Sequence, residues 1–233
     1  MNFKKLDIYH LRGILSVVFF SFMSFVLLGQ STPMGNANDP KAKKILDKIK
    51  SDYEKNKSSE VVFELVIETP GSKPEKQNGK LVQEGKKFVA LMDDQEVYCD
   101  GKNVWFYLKS EKEVQINNYD ANMSDEMVSP EQLLRIYENG EYIYAITGEE
   151  QIGTKTLTNI EFKPKNRNSQ YSKIRIGVDK TNNPNYIKVF SKNGATYTLV
   201  LKSTTHNKVY KADYFVFNTK KVPGLHVEDL RID

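Results

Sequence analysis

Three histidines, His10, His206 and His226, are the side chains best placed by type to move protons near neutral pH. They are the first candidates for acid–base or metal chemistry, with a pair of carboxylates the other way to assemble it. His10 lies in an apolar leader, and His206 and His226 stand in polar, loop-like surroundings. No serine sits in a Gly-x-Ser-x-Gly elbow. No His or Cys pair has metal-ligand spacing, and no glycine-rich phosphate loop is present. The lone Cys99 excludes an intrachain disulfide. With no cation beside it and apolar neighbours before it, Cys99 reads as a small buried hydrophobe rather than a nucleophile. Carboxylates alternate with lysines, as on a solvated surface. The expectation is a protein without catalytic residues, metal or cofactor.

What remains is apolar surface, and the elements that would carry it. The run from Val97 to Leu108 is rich in β-branched and aromatic residues around Asp100-Gly101, a pair suited to a tight hairpin turn. Asn103, Trp105 and Tyr107 share one face of its second strand, and Val104, Phe106 and Leu108 share the other. Before the hairpin, Asn38 or Asp39 can cap a helix, with Pro40 in its first turn. Ala42, Ile45, Leu46, Ile49 and Tyr53 then recur at helical spacing as far as Asn56. From Ser58 the period becomes two, with Val61, Phe63, Leu65 and Ile67 on one face. Strands are expected over Gln77–Glu84, Lys87–Met92, from Gln95, and over Glu113–Asn117. A second short helix starts at Ser129-Pro130, carries Leu133, Leu134 and Tyr137, and ends at Asn139-Gly140. Strands resume over Tyr142–Thr147, Thr156–Lys163, Lys173–Val178, Tyr186–Phe190, Thr196–Lys202 and Asp213–Asn218, with Asn193-Gly194 a strong hairpin signal. Ten to twelve strands in antiparallel succession read as a mainly β (α+β) fold. They hold more apolar surface than a thin sheet can hide, which suggests a concave pocket with a helical lid.

The chain has 233 residues and a formal net charge of +4. Lys4, Lys5 and Arg12 against Asp7 place half of that excess in the first thirty residues. The remainder is nearly balanced and has no basic stripe, so nucleic acid is not an expected partner. Ile14 to Leu28 is an uncharged run of fifteen residues behind that basic head. It is short for a membrane span and of the right length for a secretory signal. The expected organisation is a signal peptide over 1–30, a flexible stretch over 31–38 and a single domain over 39–233. Gln30 stands where an acylated cysteine would follow Leu27-Leu28-Gly29, so the protein is expected to be exported in soluble form, without a lipid anchor.

Three pieces together resemble the outer-membrane lipoprotein carrier family, LolA. VYCDGKNVWFY (Val97–Tyr107) is similar to its S-D-G-K-x-L-W-x-Y hairpin, with Cys99 in place of Ser. A strand bearing Phe63 precedes Gly79-Lys80-Leu81, as in the family's G-x-L. YFVFNTKKVPGLHVEDLR (Tyr214–Arg231) is similar to its final F-x-F strand, P-x-G turn and V-x-D tail. The resemblance implies an unclosed antiparallel β-barrel whose apolar cavity, under a small α-helical lid, holds the acyl chains of lipoproteins. It implies acylated lipoproteins as cargo, an inner-membrane ABC-type release complex as donor, an outer-membrane acceptor, and a monomer. The family's lid-latching arginine after G-x-L has no counterpart here, where Lys86 and Lys87 stand instead.

On this reading Phe63, Leu65, Phe88, Met92, Trp105 and Tyr107 line the cavity, and Ile45, Ile49, Leu133 and Leu134 roof it. Three alternatives use the same residues differently. One is a lipid-sensing or lipid-binding module of the same fold. Another is a lipid-modifying hydrolase built on a clustered Ser, His206 or His226 and an acid. The third is a structural β domain whose apolar surface is all core.

Overall fold

The computed structural model describes residues 38–119 and 136–231. The leader and most of the second helix, with Leu133 and Leu134, lie outside them. The described elements are α1 (Pro40–Glu54), β1 (Ser59–Glu68), β2 (Glu75–Glu84), β3 (Lys87–Met92), β4 (Gln95–Cys99), β5 (Asn103–Leu108), β6 (Glu113–Asn118), β7 (Tyr142–Ile152), β8 (Lys155–Pro164), β9 (Tyr171–Val178), β10 (Pro184–Ser191), β11 (Thr196–His206) and β12 (His226–Asp229). The strands form one unclosed sheet in the order β12-β6-β5-β4-β3-β2-β1-β11-β10-β9-β8-β7. Neighbours in sequence are mostly neighbours in the sheet, as short turns dictate. The chain divides into two compact units, one containing most of α1 and β7–β10, the other β2–β6 and the C-terminal segment.

In the first unit, paired residues repeat across four strands. Tyr144, Phe162, Ile174 and Val189 form one cross-strand row, and Ile146, Ile160, Ile176 and Ile187 the next. Directly opposed residues share a face, so both rows build one apolar surface, on which Ala42 and Leu46 of α1 are buried. The opposite face is polar. There Glu161 is buried and bound by Lys173 and Arg175, and both cations stack over Phe190. β7 runs past Gly148, where a register shift at a glycine with φ of 144° absorbs the residue that had suggested its end.

In the second unit the same logic assigns two faces. Gly79 opposes Met92, Leu81 opposes Ala90, and Gln83 opposes Phe88; Phe88 opposes Cys99 and Ala90 opposes Val97. Cys99 in turn opposes Val104 and Val97 opposes Phe106. These residues make the first face. Val82, Val89, Tyr98, Trp105, Tyr107, Val114 and Ile116 make the second.

The second face explains the fate of Asp213–Asn218. That stretch is not a strand. It forms a 3-10 turn over Ala212–Phe215, and another follows at Thr219–Lys221. Its aromatics cross the face instead of pairing at its edge. Phe215 is buried on Val82 and Val89, and Phe217 on Trp105, Val114 and Ile116. Phe217 meets the Tyr107 ring at 4.9 Å and the Tyr98 ring edge-on at 5.5 Å. The edge of β6 is taken by β12, which pairs parallel with it. This parallel pair departs from the expected all-antiparallel arrangement. It is reachable because the 3-10 turns carry the chain across the sheet before it enters β12.

Candidate functional site

The opening hairpin is the best-defined local structure in the second unit. Its two central residues are Gly101 and Lys102, not Asp100 and Gly101. Asp100 N–H donates to the Asn103 carbonyl at 3.2 Å, and only Gly101 has positive φ, at 89°. Glycine at the first central position suits such a turn. Asp100 serves by its side chain: its carboxylate accepts from the backbone of Lys102 at 2.8 Å and of Asn103 at 2.7 Å, and from the Asn103 side chain. Burial works to raise the Asp100 pKa, but these donors outweigh it and hold the carboxyl below its ordinary value.

The residues expected to line one cavity are divided by the register. Phe88 and Met92 lie on the first face, and Trp105 and Tyr107 on the second, where Phe217 and its neighbours cover them. The six therefore do not share a surface. Alternation alone could not choose between two apolar faces of β5. Phe63 stands on the first face: its ring lies against Gly79 so closely that a Cβ there would approach it at 2.2 Å. Leu65 shares Phe63's parity and is half-buried. The first face is thus a wall of Phe63, Phe88, Ala90, Met92, Val97, Cys99 and Val104, each almost wholly excluded from solvent. Cys99 belongs to it as the buried hydrophobe expected, its thiol pushed up to about 11 by burial.

Two of the polar side chains buried on this face leave an atom unpaired. Gln83 and Gln95 are each 6% exposed, and the Gln83 Oε1 and Gln95 Nε2 atoms are buried without a hydrogen-bond partner. Sequence alone singles out neither, because glutamine at an alternating position gives no sign of which side is solvent.

In the first unit, α1 is the covering element. Asp39 joins its start to β7: Asp39 N–H donates to the Tyr144 carbonyl at 3.0 Å, and its carboxylate accepts from Ile146 N–H and Lys41 N–H. Asn38 accepts from Tyr144 N–H. Burial opposes the ionised Asp39, yet these backbone donors keep its pKa below the ordinary value. Beyond this anchor, Ala42 and Leu46 are buried while Ile45 and Ile49 are only partly so. Polar ties accompany this packing: the hydroxyl of the buried Tyr137 donates to Asp47 at 2.9 Å, and Lys50 meets Glu138 at 2.6 Å. The second, a solvent-facing ion pair, contributes on the order of 0–1 kcal/mol.

Both lysines after Gly79-Lys80-Leu81 make contacts within their own unit. Lys87 pairs with Glu84 at 3.0 Å and stands 5.4 Å from the centre of the Phe215 ring, on the C-terminal side of the sheet. Lys86 occupies the tight turn, where its carbonyl accepts from the Cys99 thiol.

The hydrolase alternative has one geometric contact in its favour, which the sequence did not disclose. Ser59 Oγ lies 3.0 Å from His206 Nδ1. Ser59 is buried, however, and the surrounding bonds are those of a chain crossing. Asn207 N–H donates to the Ser58 carbonyl, Lys57 N–H to the Asn207 side chain, and Ser58 Oγ to the Lys208 carbonyl. The pair pegs the end of β11 to the start of β1. His226 enters β12. Among the described residues no cluster of His, Cys, Asp and Glu could hold a metal, and no helix is long and apolar enough to cross a membrane.

The chain is similar to several solved structures. An uncharacterised conserved protein of Thermus thermophilus superposes with a TM-score of 0.53 at 9% identity, covering 81% of this chain and 99% of its own. Lipoprotein LppX of Mycobacterium tuberculosis gives 0.46 at 14% identity, covering 76% and 100%. A LolA superfamily protein of Nitrosomonas europaea gives 0.40 at 14%, covering 76% and 97%. No curated protein matches the sequence. The family model described as outer membrane lipoprotein carrier protein LolA matches residues 65–218, well over half of the chain. The match takes in the Gly79 strand, the Asp100 hairpin and the Phe215–Phe217 segment, and the chain belongs to the LolA family.

Proposed function

We propose that this protein is a periplasmic carrier that takes the acyl chains of lipoproteins into an apolar interior and ferries them across an aqueous space. The observation that carries the reading is α1: a helix anchored at one end by Asp39 and laid on an apolar sheet face, with Ala42 and Leu46 buried there and Ile45 and Ile49 only partly so. Its hold can be weighed against cargo. Leu46 is its one large side chain to be fully buried, worth roughly 1.5–3 kcal/mol. An acyl chain gains about 0.8 kcal/mol per buried CH₂, so a handful of methylenes matches the helix. Conversely, a cover that re-buries itself when empty lowers net cargo affinity and permits release. The reading includes export directed by residues 1–30, with the single domain over 39–233 as the working carrier. Cargo comes from an inner-membrane ABC-type release complex and passes to an outer-membrane acceptor, the carrier acting as a monomer without enzymatic activity.

The test locks the cover. In a Cys99→Ser background, Lys50→Cys and Glu138→Cys are bridged by a short reducible cross-linker. The locked protein should lose uptake of an N-palmitoylated peptide, and reduction should restore it. Equal uptake by locked and open forms would overturn the role of α1 as a movable cover.

A further inference from the structure

Gln83 sits in a place where hydrophobic burial alone would never keep a glutamine. It lies on the first face of β2, opposite Phe88 and in the same cross-strand row as Cys99 and Val104. It is 6% exposed. Its amide orientation is fixed, because Nε2 donates to the Gly85 carbonyl at 3.0 Å and only the nitrogen can do so. Oε1 is therefore left as a buried acceptor without a hydrogen-bond partner. A buried acceptor left unpaired costs on the order of 1–3 kcal/mol, and the penalty is relieved only by a hydrogen-bond donor.

We propose that Gln83 selects cargo by accepting a hydrogen bond from the amide N–H that joins an acyl chain to a peptide. This deepens, and rests on, the carrier reading. The geometry discriminates among apolar ligands by what they can donate. A hydrocarbon offers nothing. An alkyl ester or an ionised fatty acid offers only acceptors, which Gln83 Oε1 would repel. An N-acylated peptide offers both the apolar chain that Phe63, Phe88, Ala90 and Met92 can cover and the N–H that Gln83 lacks. Gln95 stands at the other end of the wall, in the row of Gly79, Met92 and Leu108. The two rows are four residues apart, ~13 Å along the strands. One linkage thus has one seat at Gln83, and the chain can run along the wall toward Gln95. Because the wall is already excluded from solvent, cargo must replace protein contacts there rather than water, which fits a site that opens only when loaded.

The experiment measures three probes on wild type, Gln83→Leu and Gln83→Met by equilibrium fluorescence. Diphenylhexatriene reports apolar occupancy without polar groups, an N-palmitoylated peptide supplies the amide, and methyl palmitate supplies the ester; the last two are read by displacement. Wild type should prefer the amide to the ester. Both variants should bind the amide about tenfold more weakly, ~1.4 kcal/mol, bind the ester more tightly than wild type does, and retain diphenylhexatriene. Loss of the amide preference in both variants, with diphenylhexatriene retained, is the supporting result. Equal amide affinity in wild type and variants would overturn the role of Gln83, meaning that solvent rather than cargo answers its carbonyl, and would leave the carrier reading standing. Failure of wild type to bind any of the three would sink the carrier reading itself, and the selection with it.

Discussion

Adding one methyl group at Gly79 tests the packing of the wall. A Cβ built there would lie 2.2, 2.4 and 2.9 Å from three atoms of the Phe63 ring. Carbon atoms prefer 3.5–4.0 Å, so the ring would have to retreat by more than about 1 Å. Phe63 is 7% exposed, so its ring is enclosed by protein. Overpacking of this kind costs about 1–3 kcal/mol. Gly79 has no positive φ, so alanine is not strained there. Removing a glycine also stiffens the unfolded chain, which returns about 0.4–1 kcal/mol. The net expectation for Gly79→Ala is a loss of about 1–2 kcal/mol. With a urea m-value of about 2 kcal/mol/M for a domain of this size, the midpoint should fall by roughly 0.5–1 M. The cause is steric and specific to one ring, so it should vanish when the ring does. Phe63→Leu alone leaves a cavity and costs on its own account, but in that background Gly79→Ala should be nearly neutral, a coupling of about 1 kcal/mol or more. Urea unfolding of the four proteins of this cycle measures it. A wild-type midpoint for Gly79→Ala, or simple additivity of the two changes, would refute the reasoning.

Two further outcomes follow from the same coordinates. Burial pushes the Cys99 thiol up to about 11 from an ordinary 9.0. At pH 8 the thiolate fraction is then ~100-fold smaller in the folded protein, so a disulfide reagent should label Cys99 at least that much more slowly before denaturation than after it. Fast native labelling would mean that the first face of β4 is open. Acid should destabilise the fold in a defined direction. The pKa of Asp47 is lowered chiefly by its bond to Lys43, and that of Glu161 by Lys173 and Arg175 against its own burial. Carboxyls whose pKa is lower in the folded state stabilise it above their unfolded values, and that contribution is lost as pH falls through the folded ones. The thermal midpoint should therefore be level between about pH 7 and 5 and decline below about pH 4. Glu161→Gln should start lower at neutral pH and decline less. An unchanged slope in that variant would exclude Glu161 from the acid response.

Much of the fold was written in local pattern. β3 runs over Lys87–Met92 as its apolar run predicts, and α1 starts at Pro40 behind Asp39. The turn residues Gly85 and Gly194 both take positive φ, where a side chain would be strained. What failed was of another kind. Tyr214, Phe215 and Phe217 have the composition of a strand, and their fate depended on a distant fact: the edge of β6 is occupied by β12, while the face over Val82 and Trp105 needs a cover. Composition reports that a segment will be buried. It does not report whether burial comes from pairing at an edge or from lying across a face.

The site was less legible than the fold for a related reason. Period two assigns residues to two faces but does not name the faces when both are apolar, and β5 is apolar on both. Trp105 and Tyr107 were therefore grouped with Phe88 and Met92, whereas the pairing of Trp105 with Tyr98 and of Phe88 with Cys99 puts them on opposite sides. The same ambiguity hid Gln83. Had the second face been recognised as the one covered by Phe215 and Phe217, the first would have stood out as the face needing another occupant, and a glutamine on it as an anomaly. A buried acceptor without a partner destabilises the empty protein, and a donor on what the wall receives would relieve that cost. Gln95 does not carry the same weight, because its unpaired atom is a donor, and a carbonyl to meet it is present in amides, esters and peptide backbones alike. Of these two glutamines, only Gln83 can tell an acylated peptide from a simple lipid.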